Sequence, residues 1–186
     1  MMNIIVLCTA NVCRSVIARE LLNRRLADRK VRARVRSAGM LDSGEPAAPE
    51  VVRVLGAVGI DASAHRSRRM TDADLRSADL VLAMAREHLR YAVVLSPEIW
   101  PRAFTLKEII RRAQAAGPRA AGQSMPDYLA GMHRTRRRID LLGDDAADDV
   151  TDPAGGPSEG IVAMAAQLDA LLDQLVALAW SREASQ

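Results

Sequence analysis

The chain has 186 residues, of which 49% are hydrophobic and 26% are charged, and its formal net charge is +3. This length suits one well-cored domain, and the mixed charges are typical of a globular protein and not of a disordered one. The small net charge and the 3% of aromatic residues argue against nucleic-acid binding, which needs a basic surface or stacking rings.

The predicted elements alternate between strands and helices along the chain. Short apolar runs predict strands at residues 3–8, 34–37, 79–85 and 102–106. Apolar residues at helical spacing predict helices at 15–26, 49–59, 86–95, 106–115 and 158–180. Residues 114–127 are a Gly/Pro-marked connection and residues 143–160 a long loop. This alternation predicts an α/β sandwich with a parallel sheet, in one domain over residues 1–186.

Two segments in the last third of the chain differ from the others in charge and in hydrophobicity. Residues 128–142 form a basic helix or a loosely ordered excursion, whose arginines are expected on a solvated helix face. Attraction of acidic substrate sequences is the alternative for those arginines: Arg134, Arg136, Arg137 and Arg138. The apolar stretch 161–180 is interrupted by polar residues at helical spacing, which predicts an amphipathic helix and no membrane insertion.

The cysteines and the N-terminal residues indicate the cellular compartment. Cys8 and Cys13 are too few for a disulfide scaffold, which favours a reducing environment. Residues 1–8 lack a basic region and are too short for a signal sequence. We therefore expect a cytoplasmic protein.

The connection between the first strand and the first helix carries the strongest chemical signal. Cys8 ends the strand, and Arg14 and Ser15 begin the helix six residues later. Ligands of open α/β sheets bind at this edge, where backbone N–H groups and the helix N-terminus can hold a tetrahedral oxyanion. The same field favours a thiolate at Cys8, and the Arg14 guanidinium suits two oxygens of a phosphoryl group. The pattern predicts attack of sulfur on phosphorus through a cysteinyl-phosphate, with a buried structural cysteine as the plain alternative.

The stretch VLCTANVCRS resembles the phosphate-binding signature of the low-molecular-weight protein-tyrosine phosphatases, which is a cysteine, five residues, an arginine and a serine. The stretches VRSAGM, DASAHRSRRMT, ADLVLAM and DVTDPAGG resemble other parts of that family, so the resemblance covers most of the chain. It implies a flavodoxin-like sheet of four parallel strands flanked by helices. No cofactor is expected, and no metal, because no residues cluster at metal-ligand spacing.

The resemblance also implies roles for individual residues. Asp152 corresponds to the general acid that protonates the leaving oxygen and later activates water. Asn11 can adopt a left-handed backbone conformation, and Ser15 can donate a hydrogen bond to the thiolate. Ser37 and His65 correspond to residues that tether Asn11, although a histidine by itself is more often structural. The phosphate-binding loop would consist of Thr9, Ala10, Asn11, Val12, Cys13 and Ser15, beside Cys8 and Arg14.

Cys13 has two interpretations. It is either a small apolar side chain beneath the loop or a partner for Cys8 in a reversible disulfide that protects the nucleophile, as the family implies.

The chain departs from the family pattern at several positions. Ala10 stands where glycine is common, and Val16 where proline is usual. Ala154 and Gly155 replace an aromatic pair that often follows the Asp-Pro dipeptide, while Met40 and Leu41 lie on the other side of the expected entrance. We expect a wide, weakly aromatic substrate entrance and reduced affinity for simple aryl phosphates.

The predicted function is hydrolysis of phosphotyrosine in proteins, with a bacterial-type tyrosine kinase as one candidate partner. An arsenate reductase of the same fold is an alternative; it would need an external thiol, because no cysteine follows Cys13. A phosphotyrosine-binding module with little turnover is a second alternative, and the combination of Cys8, Arg14 and Asp152 disfavours it. Flavin binding is disfavoured because its loop needs neither the cysteine nor the arginine.

Overall fold

The computed structural model describes residues 1–41, 44–153 and 158–180. Its sheet has four strands, which are β1 Met2–Cys8, β2 Ala33–Gly39, β3 Leu80–Ala83 and β4 Ala103–Thr105. They lie in the order β2-β1-β3-β4, and every neighbouring pair is parallel. With helices on both faces, this sheet confirms the predicted flavodoxin-like fold class.

The inner strand β1 is apolar and buried from Ile4 to Cys8, because helices cover both of its faces. Ile4 and Val6 belong to one core cluster, and Ile5 and Leu7 belong to the cluster on the opposite face. A parallel sheet covered on both faces has such continuous apolar strands, which explains why no polar alternation marks this segment.

The helices divide between these two clusters. They are α1 Arg14–Asp28, α2 Pro49–Ala57, α3 Asp72–Arg76, α4 Arg86–Leu95, α5 Leu106–Ala116, α6 Met125–His133 and α7 Ser158–Ala179. Short 3-10 turns lie at Pro97–Arg102 and Arg138–Leu141. Helices α1, α2, α5, α6 and α7 contribute to one cluster, whereas α3 and α4 contribute to the other.

Helix α3 was not predicted from the sequence, and it has only five residues. Thr71 and Asp74 form a capping box at its start, so side-chain hydrogen bonds and not apolar periodicity define this short helix.

Two features of the basic segment differ from the prediction. Helix α6 begins at Met125, earlier than expected, because the Ser124 side chain caps its N-terminus by accepting from Asp127 N–H. Arg136 is not on a solvated face: its side chain is 1% exposed, its Nε donates to Glu108 at 2.7 Å, and its guanidinium lies over the Trp100 ring. The prediction for Arg136 was wrong because a buried carboxylate and an aromatic face, both distant in sequence, compensate the desolvation of the charge.

Helix α7 is the last described element. Among the described helices, one, Glu159–Ala179, is long and apolar enough to cross a membrane by length and composition. In the structure its Leu168, Leu172 and Leu175 are fully buried in the core cluster that it shares with α1 and α5. This packing agrees with the amphipathic helix that the sequence predicted.

Candidate active site

The loop between β1 and α1 lies at the carboxyl edge of the sheet, beside its central strand. Strands β2 and β3 flank β1 on opposite sides, so the chain connections diverge there and leave a crevice. We call residues 8–15 the phosphate loop. The predicted site residues of this segment therefore lie where ligands bind in such folds.

The sulfur of Cys8 is buried and faces two hydrogen-bond donors. The backbone N–H of Asn11 donates to Sγ at 3.3 Å, and Ser15 Oγ lies 3.0 Å from Sγ. Ser15 Oγ also accepts from Asn11 Nδ2 at 2.9 Å, which leaves its hydroxyl proton available to the sulfur. Hydrogen bonds to the charged form of a group favour that form, so this arrangement stabilises a thiolate.

Asn11 holds the loop in its curved conformation. Its φ angle is 54°, in the left-handed region that asparagine tolerates better than most residues. Its Oδ1 accepts from the backbone N–H of Arg68 at 3.0 Å, and its carbonyl oxygen lies 2.7 Å from His65 Nε2. These bonds connect the loop to a segment more than fifty residues away.

The residues expected to tether Asn11 occupy different positions in this network. His65 bonds Asn11 directly, whereas Ser37 Oγ lies 3.5 Å from Arg19 Nη1, and Arg19 Nη1 in turn lies 3.1 Å from His65 Nδ1. Ser37 therefore reaches Asn11 only through other side chains. Arg68, which the sequence analysis did not single out, supplies a direct contact in its place. Burial is the main cause that lowers the pKa of His65, which keeps the ring neutral near pH 7.

Gly39, at the end of β2, allows the phosphate loop to approach closely. A β-carbon there would lie 2.6 Å from Thr9 O and 3.0 Å from Asn11 N, both of them backbone atoms. The next two residues donate backbone N–H groups to Thr9 O, Met40 at 2.7 Å and Leu41 at 3.1 Å. Met40 and Leu41 thus lie beside the loop, and Leu41 is 54% exposed.

The guanidinium of Arg14 connects the phosphate loop to the late Asp-Pro segment. Arg14 is buried, and its Nη2 donates to Thr9 Oγ1 at 3.0 Å and to Asp152 Oδ2 at 2.5 Å. Its Nη1 donates to the carbonyl of Val150 at 3.4 Å. The Asp152 side chain remains 44% exposed. Two groups 138 residues apart are thereby brought to one cleft, with the carboxylate on its open side.

The segment that carries Asp152 is anchored by cations, although the sequence predicted only a long loop. Asp148 is buried and accepts from Arg86 Nε and from Arg111 Nη2, both at 2.6 Å. Burial raises the pKa of Asp148, but the bonds and charges of these arginines outweigh it and lower the pKa overall. Lys107 Nζ adds a bond to the carbonyl of Asp149 at 2.6 Å.

His88 also lies at the site, although no sequence pattern pointed to it. This residue is fully buried on α4, and its Nε2 lies 2.9 Å from Thr9 Oγ1. Burial first, and then the charge of Arg14, lower the pKa of His88 to about 3, so the ring is neutral. Its position in the first turn of the helix after β3, at the carboxyl edge of the sheet, was the signal that could have found it.

The remaining predicted loop residues lie around the same crevice. Val12 and Ala10 are half-buried, and Val12 O accepts from the N–H of Ala48 at 3.0 Å. Burial is the main cause that raises the pKa of Cys13 to about 12, which keeps this sulfur a thiol. Ala154 lies outside the described residues. Within ranges 1–41, 44–153 and 158–180, no three His, Cys, Asp or Glu side chains form a group that could hold a metal ion.

Comparisons with known proteins agree with this geometry. Residues 3–117 match the family described as low molecular weight phosphotyrosine protein phosphatase. The Escherichia coli K12 low molecular weight protein-tyrosine-phosphatase Etp is 30% identical over 131 residues, which are 70% of this chain and 86% of Etp. A protein-arginine-phosphatase of Geobacillus stearothermophilus is 31% identical over 174 residues, 93% of each chain. The crystal structure of a low molecular weight protein tyrosine phosphatase from T. tengcongensis superposes with a TM-score of 0.71 at 32% identity, covering 95% of this chain and 98% of that one.

Proposed function

The chain belongs to the low-molecular-weight phosphotyrosine protein phosphatase family, and on this basis we propose that it hydrolyses phosphotyrosine in proteins through a cysteinyl-phosphate. It is accordingly a phosphoric monoester hydrolase. The observation that carries the proposal is the buried Cys8 sulfur with its two donors, in the same loop as an Arg14 guanidinium that reaches Asp152 at 2.5 Å.

In the first step, the Cys8 thiolate attacks phosphorus in line with the ester oxygen. The S–P bond forms as the P–O bond breaks, and Arg14 and the loop N–H groups bind the equatorial oxygens. Asp152, protonated, gives its proton to the leaving phenolate oxygen. Because Arg14 Nη2 already bonds Asp152, a phosphoryl oxygen and this carboxylate compete for the same nitrogen.

In the second step, Asp152 takes a proton from water, and the water oxygen attacks the phosphorus of the cysteinyl-phosphate. The S–P bond breaks, inorganic phosphate forms, and Cys8 returns to the thiolate. The Ser15 hydroxyl, 3.0 Å from Sγ, stabilises this leaving sulfur. The thiolate form needs a reducing environment, which supports a cytoplasmic location.

Phosphoarginine in proteins is the second candidate substrate. It is favoured by the relative from Geobacillus stearothermophilus, which is named a protein-arginine-phosphatase and whose match covers 93% of each chain. It is also favoured by the residues beside the loop, Met40 and Leu41, which are aliphatic and not aromatic. Cleavage of a P–N bond requires protonation of the leaving nitrogen, and the same Asp152 carboxyl group can supply that proton.

The test compares turnover of matched peptides that carry phosphotyrosine, phosphoarginine or phosphoserine, together with thiol-dependent consumption of arsenate. We expect the highest kcat/KM on the phosphotyrosine peptide. A higher value on phosphoarginine would reassign the substrate within the same chemistry. Turnover of arsenate alone, or binding without turnover, would contradict the phosphatase proposal.

The role of Asp152 is tested by Asp152→Asn, with Asp144→Asn as the matched control because Asp144 is an exposed carboxylate of the preceding loop. Loss of the general acid should lower kcat for a poor leaving group by about 10²–10⁴-fold. Binding of vanadate should not weaken, since the competing carboxylate is gone. A parent-like kcat in Asp152→Asn would remove this residue from the mechanism.

A further inference from the structure

A buried side-chain connection runs from α4 to the guanidinium that would bind phosphate. His88 Nε2 lies 2.9 Å from Thr9 Oγ1, and Thr9 Oγ1 accepts from Arg14 Nη2 at 3.0 Å. His88 has no exposed surface, and Arg14 is only 4% exposed. The catalytic roles described above use neither His88 nor the Thr9 hydroxyl.

The partners of the two ring nitrogens assign the tautomer of His88. Its Nε2 also lies 3.2 Å from a carboxylate oxygen of Glu87, which can only accept. Its Nδ1 is buried without a hydrogen-bond partner among the described residues. A buried acceptor without a partner is less costly than a buried N–H without one, so the proton belongs on Nε2 and the lone pair on Nδ1.

With that tautomer, the Thr9 hydroxyl accepts from two directions. His88 Nε2–H occupies one lone pair of Thr9 Oγ1, and Arg14 Nη2–H occupies the other. The oxygen is therefore fixed in position, and it fixes the nitrogen that donates to it. The hydroxyl proton itself stays available for a further acceptor in the phosphate loop.

This connection matters most when substrate binds. Arg14 Nη2 has two short partners, Thr9 Oγ1 and Asp152 Oδ2, and the second is the one that a phosphoryl oxygen would displace. The third partner of the guanidinium, the Val150 carbonyl, is more distant at 3.4 Å. After displacement, the Thr9 hydroxyl is the short contact that keeps the guanidinium in its plane.

We propose that His88 is a positioning residue for Arg14, acting through the Thr9 hydroxyl. The proposal rests on the phosphatase function above, because it concerns the orientation of the phosphate-binding guanidinium. A positioned guanidinium stabilises charge on the transferring phosphoryl group without reorganising during the reaction.

Vanadate, a tetrahedral oxyanion, is the probe for this role. His88→Leu should weaken vanadate binding about tenfold, equivalent to about 1.4 kcal/mol, and lower kcat by a similar factor. The way kcat changes with the leaving group should be the same as in the parent protein, because Asp152, which protonates the leaving group, is unchanged. His88→Gln places an amide N–H near the position of Nε2 and should restore most of the affinity.

A double-mutant cycle tests the path through Thr9. If His88 acts through this hydroxyl, Thr9→Val combined with His88→Leu should bind vanadate no more weakly than Thr9→Val alone. Should His88→Leu fail to fold, His88→Asn replaces it, because its shorter amide reaches only the position of Nδ1. The matched control is His133→Leu, which removes a half-buried histidine packed edge-on against Trp100 and bonded to no residue of the phosphate loop among the described contacts.

The outcomes separate this proposal from the phosphatase function. Parent-like vanadate affinity in folded His88→Leu, with only a lower melting temperature, would overturn the positioning role. The positioning role would also be overturned if the losses of vanadate affinity in Thr9→Val and His88→Leu multiplied in the double variant, because the two residues would then act independently. If the parent protein neither binds vanadate nor hydrolyses aryl phosphates, the proposed function fails, and His88 then has no guanidinium to position.

Discussion

Replacing Gly39 by alanine is expected to displace the phosphate loop from its working position. Gly39 lies where β2 ends beside the loop, and its backbone does not have the positive φ that would itself strain an alanine. The added methyl group would therefore act only through the atoms that it meets. These are Thr9 O at 2.6 Å, Ala10 C at 3.0 Å and Asn11 N at 3.0 Å.

The size of the effect follows from these distances. Ordinary contact for a β-carbon begins at 3.4 Å, so the gap to Thr9 O must widen by about 0.8 Å. All three atoms belong to the backbone, and Thr9 O is also held by the N–H of Met40 at 2.7 Å, so no flexible side chain can give way. A misplacement of about 1 Å in reacting groups costs roughly 10²-fold in rate, and overpacking costs about 1–3 kcal/mol of stability.

The assay measures kcat/KM for para-nitrophenyl phosphate, vanadate affinity and the melting temperature of Gly39→Ala beside Gly131→Ala. Gly131 is an exposed residue of α6, and a β-carbon there meets no described heavy atom within 4 Å. The control should keep its activity and gain up to about 1 kcal/mol of stability from helix propensity. Unchanged kcat/KM and vanadate affinity in Gly39→Ala would refute the argument that close backbone approach at Gly39 shapes the loop.

Three further predictions concern buried titratable side chains. Arg136→Ala removes two of the hydrogen bonds to the buried Glu108 carboxylate and leaves it with Arg112, so it should cost about 1–3 kcal/mol of unfolding free energy in urea titrations, whereas Arg134→Ala, at an exposed position, should stay within about 0.5 kcal/mol. Asp148→Asn loosens the segment that carries Asp152, so steady-state kinetics should show kcat lowered about tenfold, with vanadate affinity retained. The pKa of His88 is lowered from 6.5 to about 3 in the folded protein, so the stability that its neutral ring contributes is lost as pH falls below about 6.5. Between pH 7 and pH 5 this loss should be about 2 kcal/mol, and a parent-like pH dependence of stability in His88→Gln would contradict it.

Much of the fold and the centre of the site could be predicted from the sequence because local spacing determines them. The apolar run that ends at Cys8 and the helical spacing after Ser15 gave β1 and α1 within two residues of their observed bounds. A cysteine and an arginine six positions apart, on either side of a strand-to-helix turn, necessarily share one loop. The chemistry of that loop follows from backbone N–H groups and a guanidinium, whatever packs around it.

Other features depended on contacts between residues that are far apart in the chain. His88 and Gly39 could not be assigned to the site from the sequence, because the phosphate-loop residues that they contact lie about 79 and 30 residues away. Arg136 belongs to a basic run that the sequence assigned to a solvated helix face. In the structure, Glu108 and Trp100 bury its guanidinium.

The sequence by itself thus determined the strand–loop–helix unit and the identity of its reactive groups, since neighbouring residues and their periodicity specify both. Only the tertiary structure decided which distant side chains hold the loop, the guanidinium and the Asp152 segment in position. The physical reason is that a buried polar group requires a partner but does not specify where in the chain that partner comes from. The folding of the sheet and helices brings a particular partner within hydrogen-bonding distance.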